Sequence, residues 1–84
     1  MRIIFSSRAW EEYQYWQATD RRVLKRVNEL IKHVCREPFR GPGKPEPLRH
    51  ALSAYWSRRI NEEHRLVYKV EGDAVYIVQV RYHY

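Results

Sequence analysis

Trp56-Ser57-Arg58-Arg59-Ile60-Asn61-Glu62-Glu63-His64-Arg65-Leu66-Val67-Tyr68 is the stretch on which the fold turns. Aromatic and β-branched residues at both ends favour strands, and the polar Asn61-Glu62-Glu63 between them favours a turn. The segment therefore reads as a β-hairpin with Arg58, Arg59 and Arg65 close to its tip. Strand side chains alternate between faces. Arg65, Val67 and Lys69 then share one face, and His64, Leu66, Tyr68 and Val70 share the other. One arginine beside a half-buried strand is ordinary solvated surface. Three around one hairpin tip predict a fixed basic surface.

Upstream of the hairpin, Arg2 to Phe5 reads as a short strand. Ser6 or Ser7 can cap the helix that follows, because a serine oxygen satisfies a free backbone N–H there. That helix runs to about residue 18. Ala9, Trp10, Tyr13, Trp16 and Gln17 fall on helical spacing, which assigns the aromatics to the core. Asp20 or Thr19 caps a second helix, about Arg21 to Arg36. Val23, Leu24, Val27, Leu30, Ile31 and Val34 form its apolar stripe. Its polar face carries Arg22, Lys25, Arg26, Lys32 and Arg36, with Glu29 the main acid among them. Solvated charges with i,i+4 pairs and a phosphate-facing surface explain that face equally well.

Pro38 ends the helix because it cannot continue the hydrogen-bond ladder. The segment 38–47 holds all four prolines and two of the three glycines. Long irregular stretches in small domains often carry function. Within it Glu46 is flanked by Pro45 and Pro47, which bias it toward an extended conformation. Such a carboxylate loses little conformational entropy when it acts, although the loop alone also suits a plain surface glutamate. Leu48, Leu52 and Ala51 are expected to return the chain to the core, with Arg49 and His50 adding positive charge.

Downstream, Glu71-Gly72-Asp73 is a turn and residues 74–82 a last strand, followed by His83 and Tyr84. Period two places Gln79, Arg81 and His83 on one face. Whether that face is also Arg65's depends on loop parity. A three-residue loop puts Arg65 opposite Gln79, on one shared face. A two-residue loop puts Arg65 and His83 on opposite faces. The three-residue loop with a glycine is a common hairpin connection.

The 84 residues suit one small domain, residues 1–84, that buries about 60% of its unfolded surface. Sixteen Lys and Arg against ten Asp and Glu give a net charge of +6, which suits a polyanionic partner. The single cysteine, Cys35, excludes an intramolecular disulfide and fits a reducing, cytoplasmic setting. No stretch approaches the ~20 apolar residues of a membrane span, and the N-terminal apolar run is too short for a signal peptide. The histidines and the cysteine lack metal-ligand spacing, so no metal or other cofactor is expected.

A constrained glutamate, several arginines and a histidine suit one reaction in particular. RNA carries its own nucleophile, the 2′-OH. A base removes its proton, an acid protonates the leaving 5′-oxygen, and cations stabilise the phosphorane between them. Histidine, with an ordinary pKa near ~6.5, is a natural acid, and a carboxylate is a workable base. Arginine offers phosphate a planar fork.

The chain resembles the YoeB/Txe branch of the RelE-type toxins of bacterial toxin–antitoxin systems over essentially its whole length. The residues that carry the resemblance begin with Trp10, Tyr13, Tyr15 and Trp16, then Gly43-Lys44-Pro45-Glu46-Pro47-Leu48. They continue through Trp56-Ser57-Arg58-Arg59-Ile60, Glu62-Glu63-His64-Arg65-Leu66-Val67-Tyr68 and Arg81-Tyr82-His83-Tyr84. The resemblance implies an α+β fold, similar to microbial ribonucleases, with two N-terminal helices packed on a twisted antiparallel β-sheet. It implies an mRNA interferase that cuts messenger RNA in the ribosomal A site. It also implies inhibition by an acidic YefM-type antitoxin, and a homodimer. Carried over residue by residue, Glu46 matches the general base, His83 the general acid and Arg65 the arginine that stabilises the transition state. Arg59 and Tyr84 match residues that support phosphate binding. Arg49 stands where close relatives have lysine, so a point charge becomes a fork. The Glu46 and His83 roles can be exchanged or shared, since sequence does not place protons. Two alternatives stand beside this reading. One is a ParE-like toxin that binds DNA gyrase and cuts no RNA, and the other is a ribosome-independent RNase. A pure binder has no need of the Glu46, Arg65 and His83 set.

Overall fold

Both helix starts form as the cap residues dictate in the computed structural model, which describes residues 1–83. Ser6 Oγ accepts the Ala9 N–H at 3.0 Å and opens α1 (Ser7–Thr19). Asp20 Oδ1 accepts from the amides of Arg22 and Val23 at 3.0 and 3.1 Å and opens α2 (Arg21–Arg36). Each bond satisfies a donor that the first turn leaves free. Along α2, Val27, Leu30, Ile31 and Val34 are buried, with Val23 and Leu24 half-buried at the rim.

On α1 the aromatics divide. Trp16 is buried and its Nε1 donates to the Val80 carbonyl at 2.8 Å. Tyr13 is half-buried, and Trp10 is 46% exposed, contrary to the expected all-aromatic core. The face turned to the sheet is Ala9, Glu12 and Trp16, spaced i, i+3, i+7. Trp10 and Gln17 lie one residue further round, about 100° away at 3.6 residues per turn. The buried Glu12 is explained by its bonds. It accepts the Val80 N–H at 2.9 Å and pairs with Arg8 at 2.9 Å.

The strands are β1 (Arg2–Phe5), β2 (Glu46–Pro47), β3 (Trp56–Arg59), β4 (Arg65–Glu71) and β5 (Ala74–Gln79). They form one sheet in the order β1-β5-β4-β3-β2. All neighbours are antiparallel except β1, which lies parallel to β5 and gives the sheet one parallel edge. Leu66, Tyr68, Val75 and Ile77 face the helices and complete the core with Ala9, Trp16 and the α2 stripe. Leu48 is buried, but Leu52 is 42% exposed, because a 3₁₀ turn at His50–Leu52 carries it outward.

The parity question has an unexpected answer. Glu71 pairs with Ala74, so the β4–β5 loop has two residues, with Gly72 at φ +60° in its first position. Alone, this would put Arg65 and His83 on opposite faces. Tyr68 pairs with Ile77, however, while Val67 pairs with Gln79, so Val78 is an extra residue in β5. This β-bulge shifts the register by one and returns Gln79 to the face of Val67. Strand β5 then ends at Gln79, three residues before the expected end at residue 82.

Candidate active site

The site lies on the sheet face turned away from the helices. Glu46, Ser57, Val67 and Gln79 are successive cross-strand partners from β2 to β5. Arg59 and Arg65 face each other two positions nearer the hairpin tip. Lys44, Glu46, Ser57, Arg59, Arg65 and His83 line one cavity of about 120 Å³. That is well below the ~300–1,000 Å³ of pockets that enclose small molecules. The space suits one phosphate group, with the rest of a chain lying across the surface.

Three features bring these side chains together. The first is the 38–47 loop. Arg58, placed by sequence on a basic surface, has no exposed area at all. It pairs with Leu66 across the hairpin and so points into the core. Its guanidinium donates to the carbonyls of Glu37 (2.5 Å), Arg40 (2.8 Å) and Pro42 (3.2 Å) and to Tyr68 Oη (3.1 Å). Tyr68 Oη in turn donates to the Pro38 carbonyl at 2.6 Å. Burial pushes the Tyr68 phenol above its ordinary range, against the Arg58 hydrogen bond and charge, which pull it down. Further along the loop, the Gly43 carbonyl accepts the Arg59 N–H at 2.6 Å. A Cβ on Gly43 would lie 2.9 Å from Leu30 Cδ2 and 3.1 Å from the Arg59 carbonyl, at φ +88°. Only glycine lets the loop lie this close to β3 and deliver Lys44 and Glu46.

The second feature is the hairpin tip. Arg65 is 8% exposed, and its Nη1 donates to the carbonyls of Asn61 (2.8 Å), His64 (3.1 Å) and Glu62 (3.4 Å). One edge of the guanidinium is thus held by backbone while the residue lines the cavity. Asn61 Oδ1 closes the turn by accepting the amides of Glu63 and His64 at 2.9 and 2.8 Å. The third feature is the C-terminal tail. Tyr82 has φ +68°, a left-handed conformation unusual for a residue with a Cβ. Its carbonyl accepts the Arg65 N–H and Gln79 Nε2, both at 3.0 Å, and its own N–H donates to His64 Nδ1 at 2.7 Å. The turn brings His83 to the cavity.

Glu46, Arg59, Arg65 and His83 thus line one cavity. Arg49 lines an adjoining cavity of about 430 Å³, which it shares with Glu46. Tyr84 lies outside the described residues. Lys44 and Ser57 are cavity residues that sequence reasoning missed. Ser57 was legible as the partner of Val67 on the odd-numbered hairpin face, whereas Lys44 depends on the loop's path. Among the described residues, no group of three or more His, Cys, Asp or Glu is placed to hold a metal ion. No helix is long and apolar enough to cross a membrane. A carboxylate, an imidazole and several cations around a phosphate-sized space can move two protons and stabilise one anion.

Sequence and fold are both similar to those of known proteins. Residues 5–84 match the family model of the YoeB-like toxins of bacterial type II toxin–antitoxin systems. Toxin YoeB of Escherichia coli strain K12 is 58% identical over 84 residues, covering all of both chains. The YoeB dimer from Staphylococcus aureus has a chain that is 46% identical and superposes with a TM-score of 0.94, covering 100% of this chain and 98% of that one. A chain of the heterotetrameric YoeB–YefM toxin–antitoxin complex from the same organism is 46% identical, with a TM-score of 0.93 and the same coverage.

Proposed function

The chain belongs to the YoeB-like toxins of bacterial type II toxin–antitoxin systems, and we propose that it is an endoribonuclease that cuts messenger RNA in the ribosomal A site. The observation that carries this reading is that Glu46, Arg59, Arg65 and His83 line one small cavity together. Glu46 takes the proton of the 2′-OH, whose oxygen attacks the adjacent phosphorus. Arg65, held on one edge by three carbonyls, and Arg59 opposite it stabilise the charge on the phosphorane. His83 gives its proton to the departing 5′-oxygen, leaving a 2′,3′-cyclic phosphate and a 5′-OH. Arg49 in the adjoining cavity binds a neighbouring phosphate, and Tyr84 supports phosphate binding at the chain end. No step uses a metal or an organic cofactor. The toxin acts in the cytoplasm, as a homodimer like the one formed by the relative from S. aureus. A YefM-type antitoxin neutralises it; the relative from that organism forms a heterotetrameric complex with YefM.

The test is cleavage mapped by toeprinting on translating ribosomes, run beside naked mRNA. Cutting confined to ribosome-bound message is expected. Replacing the 2′-OH by hydrogen at the cut nucleotide should abolish it. Cleavage of the deoxy substrate would refute the mechanism. So would loss of cleavage in EDTA while the ribosomes, controlled for their own magnesium requirement, stay intact. Equal cutting of naked mRNA would make the protein a ribosome-independent RNase. Gyrase inhibition with no RNA cleavage would make it ParE-like.

A further inference from the structure

His64 is named in no step above, yet it touches both the hairpin tip and the C-terminal tail. Its ring is half-buried, packed edge-on against Trp16 with centroids 4.8 Å apart. Its Nδ1 accepts the Tyr82 N–H at 2.7 Å, so that nitrogen carries a lone pair and not a proton. Its backbone carbonyl accepts from Arg65 Nη1 at 3.1 Å and from the Ile60 N–H at 3.0 Å. The bond to Tyr82 is the unusual one. Tyr82 sits at φ +68°, where a side chain is strained, and such a conformation persists only where several contacts enforce it. Two of those contacts pull on the Tyr82 carbonyl, from Arg65 N and Gln79 Nε2. They orient one peptide plane, between Tyr82 and His83. The His64 bond fixes the other, between Arg81 and Tyr82. Both planes must be set to define the left-handed turn, and residue 83 follows it directly.

We propose that His64 is a positioning residue, whose Nδ1 locks the Tyr82 turn that brings His83 into register with the backbone-anchored Arg65. This rests on the catalytic reading of His83 given above. Without the acceptor, the Tyr82 amide loses its partner and the turn relaxes to a negative φ. His83 then swings away from the cavity while Arg65, held by carbonyls, stays. The loss falls on the chemical step and not on RNA binding, which the arginines retain. A displacement of about 1 Å at a reacting group can cost ~10²-fold in rate.

Two variants separate the acceptor from the ring. His64→Phe keeps an aromatic ring against Trp16 and removes Nδ1. His64→Asn removes the ring but can place Oδ1 where Nδ1 stood. Single-turnover cleavage on ribosomes should fall about 10–100-fold in His64→Phe, with apparent affinity changed less than about threefold. His64→Asn should recover most of that loss. Amide hydrogen exchange read by NMR should show Tyr82 protected in wild type and in His64→Asn, and unprotected in His64→Phe. A His64→Phe protein with wild-type rate and a protected Tyr82 amide overturns the proposal. A folded His64→Asn that is as slow as His64→Phe also overturns it, because the ring would then be the working part. If His64→Phe does not fold, His64→Asn is compared with wild type: a folded His64→Asn that cleaves more than about tenfold slower overturns the proposal, and one near the wild-type rate with a protected Tyr82 amide supports it. A wild type that cleaves no RNA overturns the catalytic reading and this inference with it, whereas an active wild type with an indifferent His64 overturns this inference alone.

Discussion

Arg58 and Arg59 are neighbours in sequence and opposites in role. Arg58 pairs with Leu66 and is spent inside, holding three loop carbonyls; Arg59 pairs with Arg65 and lines the cavity. Strand alternation applied to the hairpin already separates them, since Arg58 falls on the even-numbered face with Leu66 and Tyr68. Counting arginines around the tip obscured this, because nothing in composition says that carbonyls are waiting inside. The roles proposed for Arg65 and His83 come from the resemblance, and their test is direct. Arg65→Ala and His83→Ala should each lower single-turnover cleavage about 10²–10⁴-fold while ribosome binding falls only modestly. A His83→Ala protein that cuts like wild type would remove the tail from the mechanism. Tyr68 gives a second prediction. Its phenol is raised by burial, so the folded state holds that proton to higher pH than the unfolded chain does. Its contribution to stability is complete below the unfolded value near ~10 and is lost as pH rises through the folded value. Urea midpoints measured from pH 9 to 11.5 should therefore drop more steeply for wild type than for Tyr68→Phe. Parallel curves would show that the phenol does not titrate differently on folding.

The elements show where pattern reading reaches its limit. Caps, helices and the hairpin were legible because each is set by local chemistry: a serine or aspartate oxygen at a free amide, a 3.6-residue stripe, a two-residue alternation. The face shared by Arg65 and His83 was not. It depends on a short loop at Gly72 and a compensating bulge at Val78, and neither has a sequence signature strong enough to choose between the two parities. Burial of Glu12 was hidden for a similar reason, since its partner is the Val80 amide beyond the end of β5. The 38–47 loop stands between these cases. Its prolines marked Glu46, but its docking on β3 rests on Gly43, whose φ and close contacts exclude a side chain. Gly43→Ala should therefore act at a distance. It should cost about 1–3 kcal/mol in urea unfolding and move Glu46 enough to reduce cleavage about tenfold or more. The hairpin residues should keep their amide shifts while those of Lys44, Glu46 and Leu48 change. An unaltered rate together with unaltered loop shifts would show that the close approach has slack.

At the scale of the whole molecule, positive charge is divided between two faces. One is the cavity with Lys44, Arg59 and Arg65, and the other is the outer side of α2. Helix α2 carries six Lys and Arg against the single acid Glu29, and among the described residues none of the six is in an ion pair. Of the two readings of that face, the i,i+4 pairs are not found among the described residues, which leaves the helix as unneutralised surface. An acidic antitoxin segment has a choice of two positive faces, and the chemistry of the site favours the cavity. There a carboxylate can meet the Arg59 and Arg65 guanidinium groups in a concave, partly dry setting, where paired charge is worth more than on an open helix. The tail is also within reach. Tyr82 is 50% exposed and held in a strained turn, so a partner that binds beside it can move His83 without covering the whole face. We expect such a segment to be disordered when free and to order on binding, at a cost in conformational entropy that its charge helps offset. Its association rate should fall as salt rises, since long-range attraction speeds the encounter. It should compete with RNA for the same arginines. In the complex, hydrogen exchange should slow at residues 44, 46, 57–59, 65 and 82–83. Protection confined to the outer side of α1 and α2, with a rate independent of salt, would instead place the antitoxin on the far side of the sheet and leave the cavity free to bind RNA.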